Sequence, residues 1–502
     1  MTGFQALYIE EPLLTFGENK QYIDPKMGLL AYGPCLHPNR KPISSSIRVG
    51  IIGSGETIDL TQQWIRKLHS EIPGKQENPR LFPDFPGFPK VFGCELRVLR
   101  ECVEILTDAE IEKAINIPDF DRRVKAAANL FINKLRNLQV REPRPHVVIC
   151  AIPQSILNRC ETKEENERKL TPKEKELLKI FKKHREIGQT TLMQFGEEGV
   201  LDFIPEASDL RCLIKAKAME MGIPTQLVKP RTLLSYPKDV MLQDEATRAW
   251  NFSVALYYKA EGYPWKLTEM TVGTCYVGIT FYKDLTNPEG RMRTSMAQVF
   301  THTGEGLVLR GGRAVLDETK SPHLSEVGAY QLMKDILQLY HEQMGQLPSR
   351  LVVHKSSRFW SDEISGFNKA AKDVKIKDYV TIFKRGRGIR FMRKKGKYPP
   401  LRGTVIKIGE RNYIVFTQGW IPYFRTYPGL RVPVPLEIVE HYGDSPMETI
   451  CREILALTKL SWNSADFCIS EPVTLAYSRQ VGRILAYVPE EVKPRPQYLF
   501  YM

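Results

Sequence analysis

The stretch RVGIIGSGETIDLTQQWIRKLHSEI, residues 48–72, decides the fold class. It reads as a short buried strand, a Gly/Ser turn and an amphipathic helix, the opening of an α/β unit. Outward from it the same alternation continues. Helical patterns occupy 108–138, HVVICAIP (146–153) has the length and composition of a buried strand, DLRCLIKAKAMEMG (209–222) is a helix ended by Gly222, and TQLVKP returns as a strand. This order through residue 250 predicts a doubly wound α/β domain. Residues 1–40 read as irregular, with a turn-rich DPKMGLLAYGP at 24–34. NPRLFPDFPGFPKVFG (78–93) cannot be helix and reads as an ordered connection. The Lys/Glu-dense run 161–187 predicts an exposed helix or insertion. Gly53 and Gly55 match the first two glycines of a dinucleotide fingerprint, but Ile58 stands in the third place. A tight strand-to-helix turn explains them without a cofactor, and a nucleotide-binding α/β enzyme is the rival they suggest.

The second half is patterned differently. CYVGITF (275–281), AQVFTHTGEGLVLR and GGRAVLDE suggest a meander of adjacent strands, followed by a helix at 324–345 and a strand at 350–354. Strands GTVIKIG and YIVFTQG, the Pro-rich YPGLRVPVPLEI, and helices near 446–460 and 474–487 complete it. Strands first and crossing helices later fit an RNase H-like mixed sheet.

Composition narrows the function. The 502 residues carry a net charge of +14, with a pI near 9.2 and mean hydropathy of −0.31, which points to a polyanionic partner. Charge is concentrated: Lys384, Arg385, Arg387, Arg390, Arg393, Lys394, Lys395, Lys397 and Arg402 occur without an intervening acid, interleaved with Phe391 and Tyr398. Three glycines in that run favour a loop or hairpin, and nucleic-acid backbone contact is its expected role. The nine cysteines show no CxxC spacing, which predicts a reducing cytosol and buried thiols rather than a zinc ribbon or disulfide framework. No apolar run reaches the roughly 18 residues that span a bilayer. The N-terminus has no signal-peptide pattern, and the histidines have no HxH or HExxH spacing. The expectations are therefore a cytoplasmic protein with no membrane association and no zinc site.

Several segments resemble the Argonaute family, specifically short prokaryotic Argonautes of MID and PIWI domains. They are EEPLLTFGENKQYIDPKMGLLAYGP (10–34), ICAIPQSI (149–156), KAKAMEMGIPTQLV (215–228), YYKAEGYPWKL (257–267), CYVGITFYKD (275–284), LALTKLSWNSADF (455–467) and EPVTLAYSRQVG (471–482), in collinear order. The resemblance implies an N-terminal arm over 1–40, a Rossmann-like MID domain over 41–250 and an RNase H-like PIWI domain over 251–502. It places Arg211, Lys215, Gln226 and Lys259 around the 5′ phosphate of a guide strand. Chemistry agrees, because a terminal phosphate wants several charged donors, and Arg211 and Lys215 leave one helix face a turn apart. Relatives often carry Tyr where Arg211 stands; Arg can both stack and bind phosphate. The resemblance also implies a structural Mg²⁺ at that phosphate, held by Gln226 and the C-terminal carboxylate of Met502.

Cutting members of the family hold metal with aspartates at places that here carry Thr280, Ser356 and Arg479, with Lys355 in place of Arg. Two hydroxyls and a cation cannot assemble a two-metal site, so a catalytically inactive PIWI domain is expected, with no catalytic residue and no catalytic metal. Lys355 and Arg479 are expected to favour phosphates instead. Asp284, Asp317 and Glu318 are the residues of the alternative, a guide-directed nuclease with displaced carboxylates. The resemblance further implies a guide RNA, a single-stranded DNA target and a heterodimer with an APAZ-containing effector (a sirtuin-like or TIR NADase, or a nuclease) that can oligomerise on activation, deplete NAD and serve antiviral defence by abortive infection.

Overall fold

The computed structural model describes every residue except 1–4, 38–41, 44, 162–207, 235–242, 269, 287–291, 301–305, 317–321, 385–390, 392–397 and 430–431; for the strand Met292–Phe300 it describes the backbone alone. All but the first residue of the run 161–187 and the acids Asp317 and Glu318 thus fall outside the described residues, as do Arg385, Arg387, Arg390, Arg393, Lys394, Lys395 and Lys397.

The decisive stretch folds as read. Strand Ser46–Gly53 is buried, Ser54 caps the following helix by accepting from the Thr57 amide, and Gly55–Lys67 buries Ile58, Trp64 and Ile65. Its strand lies between Glu95–Ile105 and Val147–Ala151, and Thr225–Val228 adds the far edge; all three pairings are parallel. Alternate residues of the sheet feed two cores. Ile47, Val49, Ile51 and Ile149 pack with Trp64 and Ile65, whereas Ile52, Val148 and Cys150 pack with the helices Asp108–Ile115, Phe120–Gln139 and Leu210–Met221. Helices therefore cover both faces, the usual companion of a parallel sheet.

The second half is a mixed nine-stranded sheet. Thr274–Lys283, Arg350–Lys355 and Ile376–Phe383 run parallel, while Met292–Phe300 and Leu436–Tyr442 flank them antiparallel. Of the expected meander, Met292–Phe300 and Val308–Arg313 join this sheet, but Val315–Leu316 pairs separately with Pro322–His323. Helix Val473–Leu485 lies directly on strand Thr274–Lys283. A Cβ on Gly278 would stand 1.9 Å from the Thr474 carbonyl oxygen, so only glycine permits that approach.

The described part of the segment 1–40, expected as irregular, pairs by its strands with the second half. Gln5–Tyr8 pairs with Thr404–Lys407, and Leu14–Thr15 pairs with Lys266–Leu267. DPKMGLLAYGP is a helix, Pro25–Tyr32, because Pro25 sits at the first helical position and Asp24 accepts from the Met27 amide. Arg402 is a second correction. It is fully buried on Glu11, with Lys459 on the same carboxylate, and ties the arm to the sheet rather than facing a nucleic acid. All nine cysteines are free and eight are buried. Among the described residues no helix is long and apolar enough to cross a membrane.

Candidate guide-end pocket

Three elements converge on one small cavity. Helix Leu210–Met221 starts at Asp209, whose carboxylate accepts from the Cys212 amide, and stops at Gly222 in the left-handed conformation. It brings Arg211 and Lys215 to the site. The next strand carries Gln226, and Lys259 is the last residue of helix Glu245–Lys259, where a cation complements the helix dipole. The cavity, of about 150 Å³, is lined by Arg211, Lys215, Gln226 and Lys259 together with Leu227, Ala255, Asn463 and Met502. All five residues expected at a guide's 5′ end therefore border it; Asn463 was missed, although its segment LALTKLSWNSADF carries the resemblance.

The electrostatics are unusual for a protein interior. Lys215 and Lys259 are 1% and 3% exposed, yet no side chain lining the cavity is a carboxylate. Lys215 Nζ donates to the Thr225 carbonyl oxygen and Lys259 Nζ donates to Gln226 Oε1. Burial, then the charges of Lys259 and Arg211, pushes the Lys215 ammonium well below its ordinary range. Burial and then Arg211 lowers Lys259 to about 7. Like charges crowded with no acidic side chain beside them are costly, and an anion entering the cavity would favour the charged form of both lysines.

None of the residues expected at the inactive cutting site lines this pocket. Thr280 is buried on strand Thr274–Lys283, and Ser356 follows the neighbouring strand Arg350–Lys355, whose last residue pairs with Ile279. Arg479 is on helix Val473–Leu485, which crosses the first of these strands. Lys355 does not favour phosphates. It is wholly buried, donates to both oxygens of Glu363 at 2.7 and 2.6 Å and to the Arg358 carbonyl, and lies over the rings of Phe281 and Phe359. Arg479 is likewise engaged, on Glu471, which also holds Lys384 at 2.6 Å. Asp284 accepts from the amide and hydroxyl of Thr286. Among the described residues no three His, Cys, Asp or Glu side chains gather as a metal site.

No family model matches the chain. It is 24% identical over 291 residues to the Argonaute of Aquifex aeolicus, covering 58% of this chain and 38% of that protein. To the Argonaute of Cereibacter sphaeroides it is 23% identical over 303 residues, covering 54% and 37%. The chain thus spans less than half the length of these curated relatives. Among solved structures, Clostridium butyricum Argonaute bound to a guide DNA and a 19-mer target DNA superposes with a TM-score of 0.64 at 16% identity, covering 99% of this chain and 55% of that one. Drosophila Piwi gives 0.60 at 12% identity, covering 99% and 56%. The fold over nearly the whole chain and the sequence likeness over its larger part agree: the chain is similar to the Argonautes of prokaryotes in both.

Proposed function

We propose that this chain binds a short guide strand by its 5′ phosphate, recognises a complementary strand by base pairing, and leaves that strand uncut. The observation that carries the reading is the cluster of Arg211 and the buried Lys215 and Lys259 around Gln226, in a cavity lined by no acidic side chain. A terminal phosphate supplies the missing negative charge and enough oxygens for three cationic donors. The guide is RNA and the target single-stranded DNA, with sequence read by pairing while the protein grips backbones. The first half acts as a Rossmann-like MID domain and the second as an RNase H-like PIWI domain without metal ligands at Thr280, Ser356 and Arg479. The outcome of recognition passes to an APAZ-containing effector partner, of sirtuin-like, TIR or nuclease type, in prokaryotic defence. A magnesium ion beside the phosphate would take Gln226 Oε1 and the main-chain carboxylate of Met502 only if Lys259 released that oxygen. As arranged, Lys259 Nζ donates to that oxygen, and the lysines would carry the phosphate charge.

Lys215→Ala with Lys259→Ala tests the pocket. The double variant should lose at least about tenfold in affinity for a 5′-phosphorylated guide, because each charged hydrogen bond contributes roughly 1.5–3 kcal/mol. A 5′-hydroxyl guide should be affected far less. Equal losses on both guides would refute the assignment.

A further inference from the structure

A second cavity, of about 350 Å³, adjoins the first and shares Asn463 with it. Lys384, Glu471 and Arg479 line it, with the amide of Gln480 and the hydroxyls of Ser461 and Ser464. Lys384 follows strand Ile376–Phe383, Glu471 precedes the Pro472 that caps helix Val473–Leu485, and Arg479 lies within that helix's second turn. Glu471 is 7% exposed, and its two oxygens are divided between the cations: Oε1 takes Lys384 Nζ, Oε2 takes Arg479 Nη2. Both cations keep about half of their side-chain surface open, 53% and 43%. Glu471 is the one acid among the lining side chains, so the trio retains a net positive charge. The Lys384 ammonium accordingly lies below its ordinary range, through burial first and then the charge of Arg479.

We propose that this cavity is a phosphodiester site that Glu471 keeps closed: the carboxylate occupies Lys384 and Arg479 as a phosphate would, and yields them to the backbone of a strand anchored in the neighbouring pocket. The inference rests on the reading of the first cavity as an anchor. A phosphodiester presents two anionic oxygens, as the carboxylate does, and suits the guanidinium fork equally well. The exchange of one anion for another gains little by itself. A strand lacking a 5′ anchor is therefore held weakly, and an anchored one, delivered at high local concentration, opens the site.

Glu471→Gln keeps the shape and removes the charge. It should raise affinity for a 5′-hydroxyl oligonucleotide about fivefold near 0.1 M salt, with a log–log salt slope steeper by about 0.7 for each cation released. Lys384→Ala should cancel much of that gain in the Glu471→Gln background and cost less in the unaltered protein. Unchanged or weaker binding by a Glu471→Gln protein that melts normally would overturn the proposal, showing Glu471 to be a fixed brace. Should that variant not fold, Glu471→Asp, whose shorter arm cannot reach both cations, must still raise affinity, and no rise would be equally decisive. Because the gain is read on 5′-hydroxyl strands, its failure leaves the first pocket's phosphate preference standing. Loss of that preference with the gain intact would sink the anchor reading alone.

Discussion

Lys259 sits where a structural protein would place a leucine, and its charge is bought with stability. Its pKa of about 7 in the fold lies below the ordinary 10.5, so between those values the unfolded chain holds a proton that the folded chain lacks. Stability must therefore rise as pH climbs from about 7 toward 10, by at most about 1.4 kcal/mol per pH unit for this one group. Lys259→Met should melt higher at pH 7 and lose that share of the pH slope in thermal denaturation, while losing the 5′-phosphate preference. Phosphate binding has the opposite sense, since it pulls a proton onto the lysine. Affinity for a 5′-phosphorylated guide should fall as pH is raised from about 7 to 9, by up to tenfold per unit per proton, with 5′-hydroxyl guides showing no such slope. Helical spacing paired Arg211 with Lys215, and motif likeness alone brought Gln226 and Lys259 to the same cavity. The place of Lys355 was not legible. Its partner Glu363 lies eight residues on, and nothing in LVVHKSSRFW announces that both side chains are wholly buried.

Helix Val473–Leu485 is positioned by the absence of a side chain at Gly278, and it carries Arg479 to the second cavity. Gly278→Ala would drive a methyl into the Thr474 carbonyl and should destabilise the protein by about 1–3 kcal/mol, read as a lower melting temperature. The elements around this contact were largely readable. CYVGITF, LVVH and the helices near 446–460 and 474–487 appear close to their expected bounds, because apolar runs and helical periodicity dominate there. Two strands carried no such signal. Glu95–Ile105 is an edge strand in which Glu95, Arg97, Arg100, Glu101 and Glu104 interrupt the apolar positions. Ile376–Phe383 opens on Ile-Lys-Asp, and its Asp378 is buried only because Arg350, His441 and Ser445 meet it from distant segments. Helix Pro25–Tyr32 was hidden for another reason, since a proline and a glycine in one short run read as a turn until the Asp24 cap is seen.

At the scale of the whole molecule, the proposed guide-end pocket shares the fold with a sheet and a crossing helix that carry Thr280, Ser356 and Arg479 where the family resemblance expects metal ligands, with Lys355 neutralised internally by Glu363. A protein so built should hold a guide and its complement without breaking the complement. A labelled complementary strand should stay full length in Mg²⁺ or Mn²⁺; guide-dependent cleavage would restore the displaced-carboxylate alternative that Asp284 represents. The measurement that bears most directly on the central claim is the affinity of the unaltered chain for one oligonucleotide carrying either a 5′ phosphate or a 5′ hydroxyl, at pH 7 and moderate salt. Three cationic side chains in one cavity require the phosphorylated strand to bind at least about tenfold tighter. Equal affinity would mean that Arg211, Lys215 and Lys259 hold something other than the end of a guide.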